Sequence, residues 1–135
     1  MREPHRSLVR SIAIIVLIAG GCTTSTGSIE LVSATEAAAS LAAAPDQVVL
    51  DVRTAEEFES GHLAGAINID FYAADFRNLL DELNKDTSYV LYCRSGNRSA
   101  ETSRVMGELQ FTAVDEIEGG ILAWLDAGLP LVARR

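Results

Sequence analysis

Tyr89-Val90-Leu91-Tyr92-Cys93-Arg94-Ser95-Gly96-Asn97-Arg98-Ser99 is the stretch on which the fold turns. Four residues rich in aromatic and branched side chains read as a strand. A glycine-containing loop follows, and Ser99 to Leu109 reads as a helix with Val105, Met106 and Leu109 on one face. The same alternation continues in both directions. Upstream, Ile29–Val32 is a strand candidate, and Ser33 or Thr35 caps an alanine-rich helix through Ala43 with Glu36 in its first turn. Pro45-Asp46 breaks that helix. Val48-Val49-Leu50-Asp51-Val52 is nearly continuous in apolar character, as a strand covered on both faces requires. Thr54-Ala55-Glu56-Glu57 is a capping box that opens a short helix, which Gly61 ends. Gly65–Ile69 is a further short strand. Ala73 to Leu83 carries Phe76, Leu79, Leu80 and Leu83 at helical spacing. Downstream, Ala113–Ile117 is the last strand and Gly120–Ala127 the last helix, stopped by Gly128 and Pro130. Five strands alternating with helices predict an α/β domain with a central, mostly parallel sheet and helices on both faces.

The chain has 135 residues, 48% of them hydrophobic and 22% charged, which excludes a disordered or low-complexity chain. Its 11 basic and 19 acidic residues give a formal charge of −8. The first twenty-one residues hold Arg2, Arg6 and Arg10 against Glu3, so the remainder carries 8 basic and 18 acidic groups, or −10. Such a domain lacks the basic footprint of a nucleic-acid binder and is repelled by an anionic membrane surface. Neither an internal repeat nor a second domain is visible, and a monomer is expected.

The N-terminus has its own character. A basic segment precedes the unbroken apolar run Ile12–Ala19, and Gly20, Gly21 and Cys22 follow. A charged start, a short apolar core and small residues at the exit describe a secretory signal, too short for a stable transmembrane anchor. Ile18-Ala19-Gly20-Gly21-Cys22 resembles the lipobox of bacterial lipoproteins, with Ala19 where leucine is usual. That resemblance implies a diacylglyceryl group on Cys22, cleavage before it, and an exported domain held at the bacterial cell membrane or envelope. The expected division is therefore a signal peptide over 1–21, a lipidated cysteine and flexible tether over 22–30, and the folded domain over 31–133.

Cys93 would then be the only free thiol of the mature chain. Most free cysteines are small buried hydrophobes. This one ends a strand, where α/β sheets place their ligand sites, and it precedes a loop that opens a helix. The unpaired N–H groups and positive dipole end of such a helix stabilise a thiolate. Arg94 and Arg98 add positive charge nearby, and Gly96 lets the backbone curl. Residue type, position and neighbours together point to nucleophilic chemistry at sulfur.

The segment Cys93–Ser99 resembles the active-site loop of single-domain rhodaneses, which are sulfurtransferases. Leu50-Asp51-Val52-Arg53-Thr54-Ala55-Glu56-Glu57-Phe58, Gly61-His62-Leu63-Ala64-Gly65-Ala66-Ile67-Asn68-Ile69 and Gly119-Gly120-Ile121-Leu122-Ala123-Trp124 with Gly128-Leu129-Pro130 are similar to other segments of that family, in the same order. Ala55 and Ala64 stand where relatives often have proline. The resemblance spans about residues 31–133 and implies a rhodanese-like fold and persulfide chemistry on Cys93. A donor such as thiosulfate supplies the sulfur, a thiol or cyanide takes it, and no cofactor is needed. Arg94, Ser95, Gly96, Asn97, Arg98 and Ser99 are implied as the substrate-binding cradle.

Asp51 and Arg53, at the end of a neighbouring strand, either line the pocket or brace loops, and bracing is the favoured reading. His62 reads as a structural turn residue, because a thiolate ionised by its own loop needs no base. Trp124 reads as core, sharing a helical face with Ile121, Leu122 and Leu125. Gly119 and Gly120 read as a turn, since no phosphate-loop pattern surrounds them. One cysteine and two dispersed histidines make no metal-ligand set. Two other functions compete. Cysteine phosphatases and arsenate reductases use a similar loop with five residues between cysteine and arginine, whereas Arg98 follows Cys93 with four between. A non-catalytic sulfur-sensing or binding module is the third reading, which the retained Cys93 disfavours.

Overall fold

A computed structural model describes residues 27–133 of the chain. The segment 1–21 and Cys22, read as signal peptide and lipidation site, lie outside the described residues. Elements alternate in the order β1 (Ser28–Val32), α1 (Ala34–Ala43), β2 (Val48–Asp51), α2 (Ala55–Glu59), β3 (Ile67–Asn68), α3 (Phe76–Asp81), β4 (Ser88–Tyr92), α4 (Asn97–Glu108), β5 (Ala113–Ile117) and α5 (Gly120–Asp126). The strands form one sheet in the order β1-β5-β4-β2-β3, and every strand pair is parallel. An antiparallel bridge, His62 to Val132, ties the C-terminal segment back to the turn after α2.

The pleat of each strand divides the core in two. Val49, Val90, Tyr92 and Ile117 face α1 and α5, where Ala37, Ile121 and Trp124 complete one layer. Leu50, Leu91, Cys93 and Val114 face α3 and α4, where Leu80 and Met106 complete the other. Successive residues on a strand thus serve opposite layers, which is why β2 and β4 read as continuous apolar runs. Each buried aliphatic side chain contributes roughly 1.5–3 kcal/mol relative to exposure. β4 lies at the centre. From β2 the chain moves outward to β3, and from β4 it moves the other way to β5, so the carboxyl ends of β2 and β4 flank a topological switch point.

Several boundaries differ from the sequence reading. The expected tether over 22–30 ends sooner, because Ser28, Ile29 and Glu30 already pair with Ala113, Val114 and Asp115. Glu30 and Ser28 are too polar to announce an edge strand, and pairing with β5 recruits them. The helix expected over 73–83 is only Phe76–Asp81: its N-cap Asp75 makes no side-chain cap bond, and Ala73 is spent in a turn with its N–H on Asp70 O. α4 starts at Asn97, two residues before Ser99, since Gly96 in the left-handed region (φ 107°) sets the first turn. In α5, Ile121 and Trp124 are buried but Leu122 and Leu125 are 41% and 49% exposed, so the four do not share one buried face.

Candidate active site

The site is built where β4 hands over to α4. Cys93 follows the last residue of β4 and points into the α3/α4 layer, 1% exposed. Arg94, Ser95 and Gly96 turn the chain back, and the Gly96 N–H donates to Cys93 Sγ at 3.1 Å. The Ser99 hydroxyl, one turn into α4, lies 3.5 Å from the same sulfur. No side chain caps α4, which leaves its first N–H groups and its positive dipole end to the sulfur. Burial pushes the Cys93 thiol up. The Ser99 hydroxyl, with the Ser99, Gly96 and Ser95 backbone N–H groups, outweighs burial and holds the thiol below its ordinary range.

The loop is gripped from the other side by α5. The Ile121 N–H donates to Cys93 O at 2.9 Å and the Leu122 N–H to Arg94 O at 3.2 Å. That approach is possible because residue 120 is glycine. It sits at φ +61°, and a Cβ there would fall 2.5 Å from Cys93 O and 2.7 Å from Arg94 O. The Gly119-Gly120 pair therefore does more than turn the chain: it admits a second helix N-terminus against the loop backbone.

The two arginines differ sharply. Arg94 is exposed, and its side chain makes no hydrogen bond or ion pair among the described residues. Arg98 makes a bidentate pair with Glu57, at 2.7 and 2.9 Å, and its guanidinium lies 5.7 Å from the centre of the Tyr72 ring. Glu57 also completes the capping box of α2, whose N-cap is Thr54: the Thr54 N–H donates to its carboxylate and its own N–H donates to Thr54 Oγ1. One carboxylate thus ties the loop after β2 to the loop after β4. Arg98 holds Glu57 down at about 2, against the opposing effect of burial.

Asp51 and Arg53 stand beside this switch point, but their side chains work on the opposite face. Arg53 grips Asp51 with Nε and Nη2 and donates to Gly61 O at 2.7 Å. The Tyr92 hydroxyl donates to Asp51 at 2.6 Å and accepts from the Leu63 N–H. Burial and the Asp51 charge push that hydroxyl far above the ordinary phenol range. Tyr92 and Cys93 are adjacent and face opposite layers, so this cluster braces the loops behind the sulfur rather than meeting it. Removing one partner of such a buried pair costs on the order of 3–5 kcal/mol. His62 shares its Nδ1 with Phe58 O at 2.8 Å, stacks on the Phe58 ring and is tied to Val132 through its backbone. Trp124 is buried, its indole N–H on Pro130 O. Ser95 and Asn97 are exposed at the rim.

Two participants escape a linear reading. Glu57 reads as a helix cap, and nothing in its spacing from Arg98 announces the pairing. Glu116 is 7% exposed and accepts from Ser99 Oγ at 2.8 Å and Ser103 Oγ at 2.7 Å. Period-two counting along β5 puts it on the same covered face as Val114, which is the one signal that marks it.

Residues 33–127 match the rhodanese-like domain family. The chain belongs to that family. A protein of Allochromatium vinosum named a sulfurtransferase is 34% identical over 93 residues, covering 69% of this chain and 85% of the relative. Thiosulfate sulfurtransferase 16 of Arabidopsis thaliana, a chloroplastic protein, is 37% identical over 94 residues, covering 62% of this chain and 78% of the relative. The crystal structure of a rhodanese-related protein from Thermoplasma volcanium superimposes with a TM-score of 0.66 at 31% identity, covering 78% of this chain and 99% of the other. The rhodanese-like fold expected from the motifs is thus the one adopted, a five-stranded parallel sheet with helices on both sides.

Proposed function

We propose that this rhodanese-like domain is a sulfurtransferase that moves a sulfane sulfur through a persulfide on Cys93. The Cys93 thiolate attacks the outer sulfur of a donor such as thiosulfate. The donor's S–S bond breaks, sulfite leaves with the bonding pair, and the transferred sulfur stays on Cys93 as a persulfide anion. An acceptor thiolate or cyanide then attacks that terminal sulfur, and its departure as a persulfide anion or thiocyanate restores the Cys93 thiolate. The amides from Ser95 to Ser99 receive the developing negative charge, and Arg94 draws the anionic donor to the mouth. The observation that carries this reading is the thiol itself, buried at a strand end under uncapped helix N–H groups and held below its ordinary range. Intact mass of the protein after thiosulfate should rise by one sulfur atom and fall again on adding a thiol or cyanide. Cys93→Ser should do neither. Turnover by Cys93→Ser at the wild-type rate would end the proposal, and a wild type that never gains the mass would favour a binding module.

The membrane address is a further part of the proposal. The resemblance around Gly20-Gly21-Cys22 supports export and lipid anchoring through Cys22. Wild type should take up labelled fatty acid and sediment with membranes, while Cys22→Ser should do neither; equal labelling of the two would refute it.

A further inference from the structure

Glu116 is a buried carboxylate that the sulfur-transfer steps above leave unused. It projects from β5 onto the α4 face and ends a chain of contacts that begins at the nucleophile: Cys93 Sγ to Ser99 Oγ at 3.5 Å, Ser99 Oγ to Glu116 Oε1 at 2.8 Å, and Ser103 Oγ to Glu116 Oε2 at 2.7 Å. Ser99 has one hydroxyl proton for three neighbours, since it also lies 3.1 Å from Gly96 O. While the sulfur is a thiol, the accounting closes without strain. The S–H donates to Ser99 Oγ, and the Ser99 hydroxyl donates to the Glu116 carboxylate.

Ionisation of the sulfur breaks that pattern. The thiolate needs donors, and the Ser99 hydroxyl turns to supply one. Glu116 Oε1 then faces the Ser99 oxygen at 2.8 Å with no proton between them. A hydrogen bond holds two buried oxygens at that separation, and once the Ser99 proton points to sulfur, Glu116 is the group placed to supply it. The surroundings do not neutralise the carboxylate instead. Glu30 of β1 and Glu118, just past β5, line the same open groove as Glu116. On α4 the facing groups are the hydroxyls of Ser99 and Ser103; Arg98 is engaged with Glu57, and Arg104 pairs with Glu101 and Glu108 at the surface. Just past β4 the facing group is Cys93 itself.

We propose that Cys93 and Glu116 share one proton through Ser99, so that Glu116 is the positioning residue which accepts the thiol's proton when the nucleophile forms. The step conserves charge. The S–H bond breaks as its proton bonds Ser99 Oγ, the former Ser99 proton bonds Glu116 Oε1, and the hydroxyl then donates to the thiolate. No proton need reach solvent from a side chain that is 1% exposed. The inference rests on the sulfurtransferase reading only for its catalytic meaning; the ionisation it describes is independent of any donor.

Thiolate absorbance near 240 nm, taken as the difference between the full chain and its Cys93→Ser variant from pH 4 to 10, reads that ionisation directly and requires no reagent to enter. A shared proton makes the pair titrate in two steps. Wild type should show a partial low-pH rise, a plateau, and a second rise. Glu116→Gln should lose the plateau and titrate in one full step. Ser99→Ala, which keeps the carboxylate and removes the bridge, should lose the low-pH rise, and it serves as the deciding variant should Glu116→Gln fail to melt cooperatively. A single wild-type step overturns the proposal, whether or not Glu116→Gln moves its midpoint. So does a low-pH rise that survives Ser99→Ala. Persulfide loading measured on the same samples keeps the two ideas apart, since a two-step titration with no sulfur adduct would uphold the shared proton and sink the sulfurtransferase reading.

Discussion

Gly120→Ala tests how the active-site loop is held. At φ +61° a side chain costs about 1 kcal/mol in left-handed strain. The added Cβ would also lie 2.5–2.8 Å from three backbone atoms of Cys93 and Arg94, none of which can rotate aside. α5 must back away, and the bonds from Ile121 N–H to Cys93 O and from Leu122 N–H to Arg94 O lengthen or break. Each is worth roughly 1 kcal/mol net. Against this, alanine stiffens the unfolded chain and returns about 0.4–1 kcal/mol. The expected loss is about 2–3 kcal/mol, and with a urea slope near 1.5 kcal/mol/M the unfolding midpoint should fall by about 1.3–2 M. Gly65→Ala is the internal control, because Gly65 has φ +74° but a Cβ on it would meet nothing within 4 Å. It carries the strain without the collision, so its midpoint should move by no more than about 0.5 M. Equal midpoints for Gly120→Ala and Gly65→Ala would refute the claim that close approach to the loop, rather than backbone angle alone, fixes glycine at 120.

Two further outcomes follow from the charges around the loop. Glu57 is held down at about 2 from an ordinary 4.5, so its stabilisation is complete above pH 4.5 and is lost as pH falls through 2. Glu57→Gln should therefore cost on the order of 1 kcal/mol at pH 7 for a partly exposed, screened pair, and the gap in urea midpoints should close toward pH 2; a gap independent of pH would place the stabilisation elsewhere. Arg94→Ala should leave the urea midpoint unchanged and raise the thiosulfate KM about fivefold at low salt, the equivalent of about 1 kcal/mol at an exposed site. An unchanged KM would remove Arg94 from donor capture.

The alternation of elements was legible because β2 and β4 are covered on both faces and therefore carry runs that no surface strand would tolerate. Both capping boxes, Ser33 with Glu36 and Thr54 with Glu57, were equally plain, because their partners are three residues apart. What stayed hidden is non-local. β1 starts at Ser28 only because β5 lies beside it, and the Asn68 side-chain amide ends β3 by donating to Asp51 O and Arg53 O, partners 17 and 15 positions away. Arg98 illustrates the same limit within the site. Five positions on from Cys93 its charge reads as an anion trap, yet Glu57, 41 positions upstream, claims both ends of its guanidinium. Position along the loop was readable; the partner that decides what the charge does was not.

That redistribution of charge separates two tasks that a linear reading assigns to one cationic loop. With Arg98 committed to Glu57, Arg94 is the exposed cation of the loop, on a chain of net charge −8. Its pull on an anion acts through solvent and fades over a Debye length, about 10 Å at 0.1 M salt. The Gly96 N–H and the Ser99 hydroxyl act on Cys93 at contact, at a sulfur 1% exposed, where mobile ions do not intervene. Capture of a donor and ionisation of the nucleophile should then respond differently to salt: KM for an anionic donor climbs with ionic strength, while the thiolate signal of Cys93 stays where it was. If the two moved together, the thiolate would owe its stability to the arginines, and the buried donors around the sulfur would be bystanders.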